Sequence, residues 1–318
     1  MNRLTVLICT HNRADLLDRV LESLNLALRP PNWSIDILVA ANACTDRTHK
    51  LLERISGRPA SARSLPVAWF AEPVPGKSHA LNSAIRRLGS GLVALIDDDH
   101  RVDASFLTAI CTAAEAYPEA TMFCGRILPD WNGSEPQWVH DTGPYSVYPL
   151  PVPCQDQGDE PRTITLEGRL PGGGNLIVRR DVFARVGGFS TELGPRGHDL
   201  GGGEDVDFII RALQSGERMQ YIPNIVQYHY VDLKRFRLFY LLRKSYQRSY
   251  SATLANADIE SKIPRYIWRK LLTYLVSAMF SLSWKRTRFY LMRLSATLGE
   301  LQAFQTFWKR TRRSVDAC

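Results

Sequence analysis

Along the N-terminal third of the chain, short continuous apolar runs alternate with apolar stripes at helical spacing. Leu4 to Cys9 is such a run and fits a buried strand, and the polar turn Thr10-His11-Asn12-Arg13 follows it. Leu16, Leu17, Val20, Leu21 and Leu24 then recur at helical spacing and predict a helix to about Leu28. Ile35 to Ala40 reads as a second strand, and Asn42 with Thr45-Asp46 supplies the capping chemistry to open a second helix. Val67 to Ala71 is a third strand, Lys77 to Leu88 a third helix, and Gly91 to Ile96 a fourth strand. This alternation predicts an α/β fold with a doubly wound, mostly parallel sheet and helices on both faces. Ligands in such sheets bind beyond the carboxyl ends of the strands. Those ends are Thr10–Arg13, Ala41–Asp46, Glu72–Lys77 and Asp97–His100, and all are polar.

The periodicity breaks from about Pro129 to Pro161, where Pro, Gly, Trp and Tyr accumulate; this predicts a long loop region able to shape a cleft. Trp131, Trp138, Tyr145 and Tyr148 in it are available to stack on a sugar or a lipid, or simply to pack. Regular structure resumes near Leu176. A helix is expected over 205–216, with short strands at Gln220–Ile222 and Ile225–His229.

The net charge of +8 modifies this picture because it is uneven. From residue 231 onward there are 18 Lys/Arg against 5 Asp/Glu, whereas residues 1–230 hold 22 against 27. The basic character belongs to a helical, aromatic C-terminal extension and points to an anionic partner surface. Leu271 to Trp284 carries no charge and is flanked by Arg265, Arg269 and Lys270 before it and Lys285, Arg286 and Arg288 after it. The run is too short to span a bilayer and suits either a buried or an interfacial helix, with Trp268, Tyr274 and Trp284 as anchors. No nucleic-acid-binding motif accompanies the charge. The six cysteines show no CxxC or metal-finger spacing and read as reduced thiols of a cytosolic protein. No signal peptide is recognisable.

The candidate chemistry centres on Asp97-Asp98-Asp99, at the end of the apolar strand Leu92–Ile96. Three adjacent carboxylates raise each other's pKa unless positive charge sits among them. A divalent metal, Mg²⁺ or Mn²⁺, is one resolution, with substrate phosphate completing its coordination. A solvated acidic turn is the other reading. Lys77, in Gly76-Lys77-Ser78, can approach a donor diphosphate, although Ala71 stands where a Walker A loop needs glycine. Gly172-Gly173-Gly174 is not a dinucleotide fingerprint.

In order along the chain, Thr10-His11-Asn12-Arg13, Asn42 to Thr48, Pro75 to Asn82 and Asp97-Asp98-Asp99 resemble the nucleotide-sugar half of family 2 glycosyltransferases. Gly172 to Asn175 with Arg179-Arg180, Val186 to Phe189, and Gly203-Glu204-Asp205-Val206-Asp207-Phe208 with Arg211 resemble that family's acceptor half. The resemblance implies a GT-A fold over 1–230, with a nucleotide-sugar half at 1–128, an acceptor half at 129–230, and an extension at 231–318. It also implies inverting transfer from a nucleotide-diphosphate sugar to a sugar or lipid-linked sugar.

On that resemblance Asp99 ligates the metal. Asp97 contacts the donor ribose or the metal shell, and His229 is a candidate further ligand. Thr10, Asn12, Arg13, Asn42, Lys77, Asp97 and Asp98 fall on the donor side, and Gly173, Gly174, Asn175, Glu204 and Arg211 on the acceptor side. Asp205 is the implied general base, with Glu204 its rival; without the resemblance the pair reads as acidic residues at a helix N-terminus. Gly201-Gly202-Gly203 would permit close approach of an acceptor or act as a hinge. Ala41-Asn42 stands where the family often has two acidic residues, and Asn42 can still bond a base edge. The implied setting is cell-surface polysaccharide or glycolipid synthesis in the cytoplasm or on the inner face of the membrane. A catalytically silent nucleotide-sugar-binding or scaffold protein and a nucleotidyltransferase are the competing readings. Thr10–Arg13 lacks the glycines the latter would want.

Overall fold

The computed structural model describes residues 2–57, 59, 61, 64–194, 203–255 and 263–315, so Gly201 and Gly202 lie outside it. The chain divides into one unit of residues 1–130 and 153–230 and a second of residues 131–152 and 231 onward. Residues 131–152, expected within the acceptor half at 129–230, cluster with the C-terminal helices.

The first unit is built on one sheet. Its strands are β1 (Asn2–Thr10), β2 (Trp33–Asn42), β3 (Val67–Glu72), β4 (Leu92–Asp97), β5 (His100–Val102), β6 (Met122–Pro129), β7 (Arg162–Ile164), β8 (Asn175–Arg179) and β9 (Met219–His229). They lie in the order β3-β2-β1-β4-β8-β6-β9-β5, with β7 on β9. The first four strands run parallel, β8 runs antiparallel to β4 and β6, and β5 antiparallel to β9. The helices are α1 (Ala14–Leu26), α2 (Thr48–Ser56), α3 (Lys77–Ile85), α4 (Phe106–Ala116), α5 (Val182–Val186) and α6 (Glu204–Gln214).

Side chains alternate across the sheet, so one strand feeds two cores. Leu4, Val6 and Ile8 of β1 join a buried cluster with Leu17, Val20, Leu21 and Leu24 of α1 and Phe106 of α4. Leu7 points the other way, into a cluster with Leu81 and Ala84 of α3 and Phe208 and Ile209 of α6. The helices thus cover both faces, as the alternating pattern predicts.

One expectation needs correction. Residues 219–229 are not two short strands but the single strand β9. Pro223, which made the break plausible, sits at an irregularity in the pairing with β6, between Cys124 and Arg126. Gly125 makes that irregularity possible, since a Cβ on it would lie 1.9 Å from the Ile225 carbonyl oxygen. The unbroken strand carries His229 to a position opposite His100.

The second unit contains α7 (Leu238–Ala255), α8 (Arg265–Met279) and α9 (Trp284–Val315). α7 and α8 both pack on α9. Gly299 lets α7 close on α9, because a Cβ there would lie 2.3 Å from the Tyr246 carbonyl oxygen. Val139, Val152 and Phe236 form a small core with Trp131 and Trp138, and the buried Arg288 guanidinium lies 3.9 Å over the Trp138 ring. The uncharged run 271–284 is not one helix, since α8 ends at Met279 and α9 begins at Trp284. No helix among the described residues is long and apolar enough to cross a membrane.

Asp46 joins two elements that the sequence pattern treats separately. Its Oδ2 accepts from the Ala14 amide, the first of α1, at 3.2 Å. Its Oδ1 accepts from the Thr48 amide, the first of α2, at 3.0 Å. One carboxylate therefore serves two helix N-termini. Burial pushes its pKa up, but the bonds from Thr48 and Ala14 together outweigh this and hold it below the ordinary aspartate value. A depressed folded pKa gives stability that is present above the unfolded pKa and lost as pH falls through the folded one. Asp46→Ala is accordingly expected to lower stability at neutral pH by about 1–2 kcal/mol. Urea unfolding should show this difference shrinking as the pH is taken below 3.8; a deficit independent of pH would exclude the capping account.

Candidate active site

Strand order reverses between β1 and β4, where Cys9 pairs with Asp97. The turn Thr10–Arg13 and the run Asp97–Asp99 therefore leave the sheet side by side, in the crevice where doubly wound sheets bind ligands.

The chain itself answers the repulsion among the three carboxylates, each in a different way. Lys77, the first residue of α3, bonds Asp97 Oδ1 at 2.5 Å, and its ammonium lies 3.8 Å from Glu204 Oε1. Burial alone would lower the Lys77 pKa, but Asp97 and Glu204 outweigh it and raise the pKa. The same pairing, helped by His100, overrides burial at Asp97 and holds its carboxyl well below the usual range. Arg13 Nη1 bridges Asp98 Oδ1 at 2.9 Å and Asp99 Oδ2 at 3.0 Å. Asp98 is buried, and burial pushes its pKa up to about 6 despite Arg13. Thr10 is buried at the end of β1.

Asp99 is the member with coordinating capacity to spare. It forms a group with His100 and His229 whose ligand atoms all lie within 4.8 Å of one another. His100 Nδ1 contacts Gln227 Oε1 at 2.7 Å and His229 Nδ1 contacts the Tyr230 carbonyl at 2.6 Å. Both partners are acceptors, so each Nδ1 donates and each Nε2 is turned toward Asp99. These Nε2 atoms stand 3.8 Å and 3.6 Å from the Asp99 carboxylate, too far for hydrogen bonds. Metal–ligand bonds of about 2.0–2.2 Å put neighbouring donors roughly 3 Å apart, so a small inward movement closes this set on a cation. One carboxylate and two buried imidazoles with fixed tautomers fit a divalent ion. Asp97, expected among the ligands, is not in the group.

Asp205 enters from the N-terminus of α6. Its Oδ2 accepts from the Gly173 amide and its Oδ1 from the Val206 amide at 2.8 Å. A Cβ on Gly173 would lie 2.6 Å from Asp205 Cβ, and one on Gly174 would lie 2.7 Å from both Asp97 Oδ2 and His100 Cε1. The two glycines are thus wedged between the carboxylates of the two halves, and only glycine fits. A cavity lined by Cys9, Lys77, Asp97, Gly173, Glu204 and Asp205 lies there. Glu204 is buried, and burial raises its pKa despite Lys77.

Other expected residues are engaged in positioning. Asn12, at φ 53°, accepts from the Thr45 and Asp46 amides at 2.7 and 3.1 Å and so shapes the following turn. The Asn42 amide donates to the Glu72 and Val74 carbonyls at 3.2 and 2.6 Å and accepts from Gly76 N at 2.8 Å. It closes the turn that delivers Lys77. Asn175 Nδ2 donates to the Arg126 and Ile225 carbonyls at 2.8 and 3.0 Å, holding the β6–β9 irregularity. Arg211 bonds Asp207 and the Val186 and Gly188 carbonyls and does not line the cavity. The sequence reading missed His100 and Gln227. A signal existed for Gln227, which shares a strand face with His229 two residues on.

The sequence matches the profile described as Glycosyl transferase family 2 over residues 5–187. A glucosyl-dolichyl phosphate glucuronosyltransferase of Haloferax volcanii is 30% identical over 166 residues, 52% of this chain and 51% of that protein. The chain thus spans about half the length of that curated relative. Among solved structures, S. aureus TarS 1–349 in complex with UDP aligns with TM-score 0.53 and 15% identity, covering 97% of this chain and 92% of that one. The mannosyltransferase PcManGT of Pyrobaculum calidifontis, in complex with GDP-Man and Mn²⁺, aligns with TM-score 0.51 and 16% identity, covering 96% and 83%. These likenesses establish the GT-A fold.

Asn42→Asp would restore the acidic residue but remove the donor for two carbonyls. A carboxylate beside the Glu72 and Val74 oxygens repels them, and stability is expected to fall by about 1–3 kcal/mol. The loop carrying Lys77 should loosen with it, so calorimetric titration should show weaker binding of nucleoside diphosphate. An unchanged melting temperature would contradict this role.

Proposed function

This chain belongs to glycosyl transferase family 2 and is a glycosyltransferase, and on that premise we propose that it moves a sugar, with inversion, from a nucleotide-diphosphate sugar to a hydroxyl of a lipid-linked acceptor. The observation that carries this reading is the meeting of Lys77, Asp97 and Asp205 around the Gly173–Gly174 wedge.

Asp205 is the general base of this proposal. As the acceptor oxygen attacks the anomeric carbon, its proton passes to the Asp205 carboxylate and the bond to the diphosphate breaks on the opposite face. The amides of Gly173 and Val206 fix the orientation of that carboxylate. Glu204 suits the task less well, because it is buried and its carboxylate faces Lys77, 3.8 Å from Oε1. Lys77 is the cation nearest the donor side, held ready by Asp97 and Glu204. Asp99, His100 and His229 would hold a divalent ion, which supplies neutralisation of the charge on the departing diphosphate. Two imidazoles and one carboxylate favour Mn²⁺ over Mg²⁺, whose preferred ligands are oxygen. The lipid-linked acceptor is supported by the Haloferax relative, which is named for a dolichyl phosphate-linked sugar. The proposed setting is cell-surface glycolipid or polysaccharide synthesis at the inner face of the membrane.

Asp205→Asn should lower kcat by about 10²–10⁴-fold while leaving nucleoside diphosphate affinity intact. Retained turnover in that variant sinks the assignment. Calorimetric titration of metal alone should show Mn²⁺ binding more tightly than Mg²⁺, and His100→Ala should weaken Mn²⁺ at least tenfold. Equal affinity in parent and variant would remove His100 from the ligand set.

A further inference from the structure

α8 carries two apolar faces, although its packing on α9 needs one. Ile267 and Ala278 are buried. Trp268, Leu272, Leu275, Val276 and Met279 recur at i, i+4, i+7, i+8 and i+11, which places them on a second stripe of the same helix. Every one of them is exposed, and the turn into α9 extends the stripe with exposed Phe280, Leu282 and Trp284. Exposure runs from 43% at Val276 to 104% at Leu282, so the stripe is open to solvent along its length. A contiguous exposed apolar surface of this kind marks an interaction site.

The surrounding charge identifies the partner. Between Ile263 and Gly299 there are seven Lys/Arg and no Asp or Glu. Lys270 pairs with Glu300, and Lys285 and Arg288 with Asp141, which leaves Arg265, Arg269 and Arg286 as the exposed charge beside the stripe. A second copy of this chain is disfavoured, because a two-fold contact would set these arginines against themselves. Tryptophans stand at both ends of the stripe, as in segments that lie at a lipid–water boundary. From Trp268 to Phe280 the helical rise is about 18 Å, well short of the roughly 30 Å of a hydrocarbon core. The geometry is that of a helix lying in the plane of the interface, with its arginines at headgroup level.

We infer that the outer stripe of α8 and the α8–α9 turn seat this chain on a bilayer surface containing anionic lipid. The inference extends the lipid-acceptor reading, and its test requires no acceptor, so either can fail alone. The full chain is sedimented with vesicles of phosphatidylcholine, with or without roughly one-third phosphatidylglycerol. It should bind the mixed vesicles and lose binding at high salt. Leu272→Glu/Met279→Glu should reduce partitioning at least tenfold, and Arg265→Gln/Arg269→Gln/Arg286→Gln should reduce it about tenfold or more on anionic vesicles. Brominated lipid should quench tryptophan emission in the parent, and less so in Trp268→Phe/Trp284→Phe. The thermal shift produced by nucleoside diphosphate should match the parent in every variant, which shows that each is folded. Three results overturn the inference: a parent that stays in the supernatant with anionic vesicles, glutamate variants that bind like the parent, or a lipid-free dimer that those variants dissociate.

Discussion

Three consecutive carboxylates at the end of a buried strand must be neutralised, and the crevice is organised by how this is done. Asp97 goes to Lys77, Arg13 is shared by Asp98 and Asp99, and Asp99 also faces two imidazoles. Each solution recruits a different part of the chain. Lys77 requires the turn closed by Asn42, Arg13 requires the turn shaped after β1, and His229 requires an unbroken β9. Low local dielectric makes these pairings strong, and it makes a missing partner costly. The same charges that stabilise the empty crevice are the groups an incoming diphosphate and its metal would engage.

Close approach does as much here as charge. Gly173 and Gly174 bring the carboxylate of α6 against the end of β4, and Gly125 allows β9 to run past β6 and deliver His229. Neither arrangement tolerates a Cβ, because the neighbouring atoms are backbone or the side chains of Asp97, His100 and Asp205. Glycines that read as a loop signal along the chain are in space the points where separate segments touch. The basic extension follows another logic. α8 is apolar on two sides, so packing on α9 leaves one stripe for something outside the chain.

Much of the frame was legible in the sequence, because it depends on local periodicity. The buried runs of β1 and β4, the stripe of α1 and the polar strand ends follow from alternation and helical spacing alone. Asp97–Asp99 was visible as a chemical problem that required positive charge. The sequence also showed that the C-terminal charge is one-sided and that the run at 271–284 is too short to cross a membrane.

The answer to the carboxylate problem came only with the fold, because all its partners but His100 lie far away along the chain. Lys77 is twenty residues from Asp97, Gln227 reaches His100 across 127 positions, and Asp205 meets Gly173 across 32. Periodicity carries no information about such pairs; they are set by strand order and register. The sequence determined that this crevice would be acidic. Tertiary structure decided which carboxylate faces imidazoles, because Asp99 emerges where β5 and β9 set two histidines side by side.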